Sequence, residues 1–124
     1  MRSSQSALKG KLLSHVAMGA SWESFVIEQL ISSAGPEVQP WFYRTSAGAE
    51  IDLLLDVKPS QFWAFEIKHS SAPRPAKGFH IACVDVAAAR KLVVHSGSRS
   101  YRDGSGVSFM PLRAAMAQFR ALRS

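Results

Sequence analysis

The chain predicts an α/β domain in which a mixed sheet is flanked by helices, with element order αβββαβ, and three observations lead there. Two apolar runs of strand-like composition, residues 50–56 and 62–68, are separated by a five-residue turn containing Pro59. A capped, one-sided helix precedes them, and a helical segment with another apolar strand follows at the spacing of a crossover. At 124 residues and 47% hydrophobic, the chain suits one domain with a real core.

The elements follow in order. Residues 1–14 show no motif and read as a weak helix or a linking extension, which leaves 15–124 as the domain. From Gly19-Ala20-Ser21 to Ser33 the sequence reads as a helix, with Ser21 as N-cap and Gly35-Pro36 as the stop. Val26, Ile27, Leu30 and Ile31 form its apolar stripe. Glu23 lies three and four residues before Val26 and Ile27 and extends that stripe, so it faces inward. Glu28, rotated by about 140° from Glu23, faces solvent. A plain role for Glu23, favoured by the helix dipole, stays open beside the functional one. Trp41 to Thr45 is the first strand, Ser46-Ala47-Gly48 a turn, and residues 50–56 and 62–68 complete a meander. Beyond Lys68, residues 70–75 form a Pro-bearing loop and 76–89 a short helix or mixed segment. Residues 91–95 read as a buried strand, 97–106 as a polar loop and 107–110 as a last short strand. Pro111 then stands at position N1 of a helix ending near Leu122.

Asp52, Glu66 and Lys68 are the polar residues that this apolar hairpin has to explain. An unpaired carboxylate in such a run shifts its pKa or destabilises the fold unless a cation or donor compensates it. Proline fits the hairpin tip, and centring the hairpin on Pro59 makes Asp52 and Glu66 cross-strand neighbours. Strict alternation then puts Glu50, Asp52 and Leu54 on one face, beside Ala64, Glu66 and Lys68. Like charges placed so destabilise a sheet, and a shared divalent cation would reverse the penalty. A salt-bridge network with Lys68 and no metal is the plainer alternative.

Charge is unevenly distributed around a net of +6. Residues 1–66 hold five basic and seven acidic residues, whereas residues 67–124 hold ten basic and two acidic. The basic half offers a surface for phosphates, read through the backbone rather than through bases, although Arg113, Arg120 and Arg123 also suit the polar face of a terminal helix. No apolar run reaches membrane-spanning length and the polar start lacks a signal segment, so a cytoplasmic location and no membrane partner are expected. Cys83 reads as a buried apolar residue, and one Cys with His15, His80 and His95 supplies no zinc set. His69 reads as a flank residue facing away from Lys68, and Trp22, Trp41, Phe62 and Trp63 as core.

Four blocks in order then carry a resemblance: Gly19-Ala20-Ser21-Trp22-Glu23-Ser24-Phe25-Val26-Ile27-Glu28, Phe42-Tyr43-Arg44-Thr45, Gly48-Ala49-Glu50-Ile51-Asp52 and Glu66-Ile67-Lys68. Over about residues 15–112 the chain resembles the C-terminal domain of unknown function of predicted bacterial and archaeal AAA-type ATPases, itself similar to PD-(D/E)xK, restriction-endonuclease-like nucleases. Lys77-Gly78-Phe79 and Met110-Pro111-Leu112 agree with it. No P-loop pattern is present, so an ATPase module, if involved, is expected on another chain or outside this sequence. The resemblance implies a restriction-endonuclease-like core that hydrolyses phosphodiesters of nucleic acid, DNA before RNA, with Mg²⁺ or Mn²⁺. Asp52, Glu66 and the Ile67 carbonyl would hold the ion. Lys68 would orient or deprotonate the attacking water, and Glu23 would hold a second ion or position a water. Glu50 and Arg44 would be accessory, joining the site or pairing with each other. A module that binds nucleic acid or a partner without turnover is the alternative that the resemblance leaves open.

Overall fold

Ser21 starts the first helix as its sequence suggests: its hydroxyl accepts the Ser24 amide at 3.2 Å, and Gly35 at φ 100° ends it. In this computed structural model, which describes residues 8–10, 21–58 and 61–123, that helix is α1 (Trp22–Ala34). The strands are β1 (Leu8–Gly10), β2 (Gln39–Arg44), β3 (Glu50–Lys58), β4 (Gln61–Lys68), β5 (Arg90–His95), β6 (Tyr101–Arg102) and β7 (Ser108–Pro111). Two further helices are α2 (Lys77–Asp85) and α3 (Leu112–Arg123). Pro59 and Ser60, the expected hairpin tip, lie outside the described residues.

All seven strands join one mixed sheet in the order β1-β2-β3-β4-β5-β7-β6. β2, β3 and β4 form the expected antiparallel meander, while β5 runs parallel to β4 and β7 parallel to β5. The α2 segment makes the β4-to-β5 crossover that two parallel neighbours require. The helices divide between the faces. Val26 and Leu30 of α1 and Ala115 and Phe119 of α3 pack on Leu53, Leu55, Phe65, Ile67, Leu92 and Val94. Phe79, Ala82 and Cys83 of α2 pack on Ile51, Leu54, Ala64, Val93 and Phe109. A sheet covered on both sides explains the unbroken apolar run of β3, where Leu53, Leu54 and Leu55 are all fully buried.

Three expectations need correction. Part of the 1–14 extension is not helix or linker: Leu8–Gly10 adds an edge strand, with Leu8 opposite Arg44. The polar 97–106 loop contains the two-residue strand β6, which gives β7 an antiparallel partner. Pro111 closes β7 opposite His95 rather than opening the helix, which starts at Leu112. The β6 pairing stops at Phe109, so no ladder on that side needs the amide that proline lacks.

Candidate functional site

The hairpin register is the one expected from a turn centred at Pro59: Leu53 pairs with Phe65, Leu54 with Ala64, Leu55 with Trp63 and Asp56 with Phe62. On the other side of β3, strict alternation fails. Trp41 pairs with Leu54 but Tyr43 with Ile51, so β3 advances three residues while β2 advances two. Asp52 and Leu53 therefore share the position opposite Phe42, the signature of a β-bulge. Its consequence is visible in the core, where Ile51 and Leu54 both face α2 while Leu53 and Leu55 face α1 and α3. The expectation of Glu50, Asp52 and Leu54 on one face is thus overturned.

The bulge also changes what Asp52 does. Its ladder with β4 ends at Leu53, and the Asp52 carboxylate instead accepts the Ile67 amide through Oδ2 at 2.9 Å. Asp52 so lies where both faces of the sheet open. On the α1 side it lines a cavity of about 310 Å³ with Glu23, Ile27, Phe42, Arg44, Glu50 and Ile67. On the α2 side it lines a cavity of about 270 Å³ with Gly48, Glu50, Glu66, Ile67, Lys68, Ala76 and Gly78. Glu23 faces inward as expected and Glu28 is exposed, but Glu23 and Glu66 line different cavities, against the expectation of one shared face. Asp52, Glu50 and Ile67 belong to both.

Glu66 is held at both ends of its carboxylate. Oε1 accepts the Ala76 amide at 3.2 Å and Oε2 lies 3.4 Å from Lys68 Nζ. Ala76 is the N-cap of α2 and has no side chain able to cap, so Glu66 places its charge at the positive end of that helix. Burial pushes the Glu66 carboxyl up; the Ala76 amide and Lys68 oppose this, and Asp52 adds to it. Burial likewise raises Asp52, against the Ile67 amide, with Glu50 adding a further upward push and Lys68 and Arg44 opposing it. Burial that raises both carboxyls disfavours their charged forms, which a cation placed between them would favour.

Whether the residues fit a metal follows from their chemistry. Among the described residues, no group of three or more His, Cys, Asp and Glu side chains is placed to hold an ion. The set is therefore two carboxylates and, if it turns inward, the Ile67 carbonyl, with solvent completing the sphere. That is a poor zinc site and a fair one for Mg²⁺ or Mn²⁺, which keep waters and take few carboxylates.

The remaining candidates separate cleanly. Arg44 pairs with Glu50 at 3.3 Å, and with both side chains about half exposed the pair contributes about 0–1 kcal/mol. Cys83 is buried and its thiol is pushed up to about 12 by that burial, which suits an inert core residue. His95 is 1% exposed, accepts the Gly97 amide through Nδ1 at 3.0 Å and contacts the Arg99 carbonyl through Nε2 at 2.9 Å, so it organises the 96–100 loop. Trp63 is core, but Trp22, Trp41 and Phe62 are only partly buried. Trp22 carries the exposed His69 ring on its face, centroids 4.8 Å apart.

A contact between two glycines, not foreseen from the sequence, also shapes the site. A Cβ on Gly78 would overlap the Gly48 carbonyl oxygen and come within 3.2 Å of its carbon. The first turn of α2 thus rests directly on the β2–β3 turn, next to Glu66. The signal was Gly78 itself, a glycine at the start of a helical segment, where close backbone approach is one of its few uses.

Among the described residues, no helix is long and apolar enough to cross a membrane. No solved structure matches the chain. Two curated relatives are each 36% identical over 84 residues, the "Uncharacterized protein Rv2008c" of Mycobacterium tuberculosis and the "Uncharacterized protein Mb2031c" of Mycobacterium bovis. The aligned part is 68% of this chain and 19% of either relative, so the chain spans about a fifth of their length. The family model "Domain of unknown function (DUF4143)" matches residues 18–115, from the helix bearing Glu23 through both strands that bring Asp52 to Glu66 and on into α3, and by that match the chain belongs to the DUF4143 family.

Proposed function

We propose that this domain hydrolyses phosphodiester bonds of nucleic acid with the help of Mg²⁺ or Mn²⁺. One observation supports the reading above the others: Asp52 and Glu66, from adjacent strands, line one cavity with Lys68. This is the residue set that the resemblance to PD-(D/E)xK nucleases calls for. Asp52 and Glu66 would hold the ion, which when bound would neutralise phosphate charge and lower the pKa of a water. Lys68, tethered to Glu66, keeps its ammonium beside the reacting phosphate, where it orients the attacking water and balances the charge that develops on the phosphoryl oxygens. Glu23 approaches Asp52 from the opposite face and suits a water-positioning role. The basic half of the chain would contact backbone phosphates, so binding weakens steeply with salt.

A second reading has its own observation. Both oxygens of Glu66 already have partners in Ala76 and Lys68, an arrangement that also suits a domain that binds nucleic acid or an ATPase partner without turnover. A nuclease assay with Mg²⁺ and Mn²⁺ on single-stranded, duplex and branched substrates decides between them. Cleavage lost in Asp52→Asn and Glu66→Gln supports hydrolysis. Tight binding with no cleavage of any substrate supports the second reading.

A further inference from the structure

We propose that the cavity between the loops that follow β4 and β5, lined by Ser71, Ala72, Arg99 and Tyr101, binds a backbone phosphate neighbouring the reacting one, so that the substrate strand runs from Lys68 toward Arg99. This rests on the nucleic-acid reading above and gives its substrate a path.

The cavity opens on the same face of the sheet as Glu66 and Lys68. Lys68 pairs with His95 on the neighbouring parallel strand, and both stand at the ends of their strands. His95 lies two residues beyond Val93, and Tyr101 lies opposite Phe109 and stacks on it, with ring centroids 4.7 Å apart. Val93 and Phe109 both belong to the core under α2, so alternation keeps His95 and Tyr101 on that side. The step from Lys68 to the end of β5 is one strand spacing, about 4.8 Å. At a rise of about 3.4 Å per nucleotide, that is a span of one to two nucleotides.

The two loops are fixed to each other. The Ser96 amide donates to the Ser70 carbonyl at 3.2 Å, and a Cβ on Gly97 would lie 3.2 Å from both the Cα and the carbonyl oxygen of Ser71. His95, 1% exposed, accepts the Gly97 amide through Nδ1, so its proton sits on Nε2 and is donated to the Arg99 carbonyl at 2.9 Å. His95 is thereby a positioning residue for Arg99. The space they enclose, about 270 Å³, is several times what one water needs.

The lining identifies the occupant. Arg99 is exposed and lines the cavity, and among the described residues its guanidinium pairs with no carboxylate. None of the four lining residues is acidic. Asp103, the nearest acid in sequence, uses Oδ1 for the amides of Ser105 and Val107 and for the Ser105 hydroxyl. Guanidinium is a donor only, and the hydroxyls of Ser71 and Tyr101 can donate beside it. A planar cationic fork with two hydroxyls suits a phosphate. The carboxylate of an acidic peptide could use the same donors, but the position one strand from Lys68 favours a second phosphate of the chain whose first lies there.

The test is fluorescence anisotropy with labelled oligothymidylate of about 15 nucleotides, without divalent cations, between about 50 and 200 mM salt. Thermal melts confirm that each variant folds. Arg99→Ala should weaken binding about tenfold at the lowest salt and reduce the slope of log affinity against log salt by about 0.7, the value of one phosphate contact on a single strand. Arg99→Lys should keep the slope while losing part of the affinity, and Ser71→Ala should weaken binding with the slope unchanged. Arg113→Ala, an exposed cation on α3 against the other face of the sheet, should change neither. An unchanged slope in Arg99→Ala, or an equal reduction in Arg113→Ala, overturns the subsite. If Lys68→Ala weakens binding and Arg99→Ala does not, the site reading stands and the subsite falls. Arg99-dependent binding of oligoglutamate, without such dependence for the oligonucleotide, assigns the cavity to an acidic protein partner and also overturns it. A parent that binds no oligonucleotide sinks the subsite and the nucleic-acid reading together.

Discussion

Gly78→Ala sets two physical effects against each other, and the structure decides the winner. Gly78 is the second residue of α2, and alanine there would gain up to about 1 kcal/mol of helix propensity. Against this, the added Cβ would overlap the Gly48 carbonyl oxygen, and it would lie 3.2 Å from the Gly48 carbonyl carbon and 3.5 Å from the Ala49 Cα. All three atoms are backbone, so no side chain can swing away. The turn that carries them is pinned by three hydrogen bonds: Thr45 amide to Ala49 carbonyl at 2.9 Å, Gly48 amide to Thr45 carbonyl at 3.1 Å, and Ala49 amide to Thr45 Oγ1 at 3.1 Å. The start of α2 must therefore shift, by roughly 1 Å to restore van der Waals contact. The Ala76–Glu66 hydrogen bond, at 3.2 Å, has little slack before it is lost.

Overpacking of this kind costs about 1–3 kcal/mol, and a lost hydrogen bond to a charged group about 1.5–3 kcal/mol. After the propensity gain, a net loss of about 2–4 kcal/mol is expected, which for a chain of this length lowers Tm by about 8–16 °C. Thermal unfolding followed by circular dichroism measures it. Gly104→Ala is the control, because nothing lies within 4 Å of its added Cβ, and it should change Tm by no more than about 2 °C. A Gly78→Ala chain that melts at or above the parent would show that propensity wins, that α2 is not clamped on the β2–β3 turn, and that the clamp does not hold Glu66.

Further outcomes follow from the same geometry. Asp52→Asn and Glu66→Gln keep shape while removing a buried charge, so each should melt at or above the parent without metal, and should lose most of the Mn²⁺-induced rise, which reaches about 2.7 kcal/mol at a hundred times Kd in a chain with an intact site. Because the folded state raises both carboxyls above their ordinary values of 3.8 and 4.5, it binds their protons more tightly than the unfolded chain. Their share of stability is thus present at low pH and lost as pH rises through the raised values; melts between neutral pH and about 4.5 should show a gain on acidification that flattens in the two variants. Asp103, which burial pushes up but the Ser105 and Val107 hydrogen bonds hold lower overall, has the opposite sign and acts below 3.8, outside that window. Glu23→Gln should leave stability within about 0.5 kcal/mol of the parent, since Glu23 is only partly buried, and should lower cleavage more than metal affinity if it positions water.

What the sequence made legible is what short-range rules govern. Ser21, Gly35 and the stripe from Val26 to Ile31 define α1 within one element, and Pro59 set the hairpin register correctly because a turn fixes its own two strands. The bulge was not legible. Ile51 to Leu55 is apolar on both faces apart from Asp52, so no alternation exists in which an extra residue would show, and the slip occurs against β2, a strand beyond the hairpin. The α2 clamp was hidden for the same reason, since Gly48 and Gly78 meet only after the crossover has been made.

The bulge matters beyond its geometry because it separates two acids that alternation would have merged. With strict alternation, Glu23, Asp52 and Glu66 would converge on one face as a single three-carboxylate site. With Asp52 reaching both faces, it shares a cavity with Glu66 and Lys68 on the α2 side and another with Glu23 on the α1 side. The two pairings should then be separable in a double-mutant cycle read by Mn²⁺ affinity. Glu66→Gln should abolish most binding alone, and Glu23→Gln should add nothing in that background beyond its own small effect. Coupling above about 1 kcal/mol between Glu23 and Glu66 would mean that one ion bridges the sheet edge and contacts both acids, and the two-sided description of Asp52 would have to be abandoned.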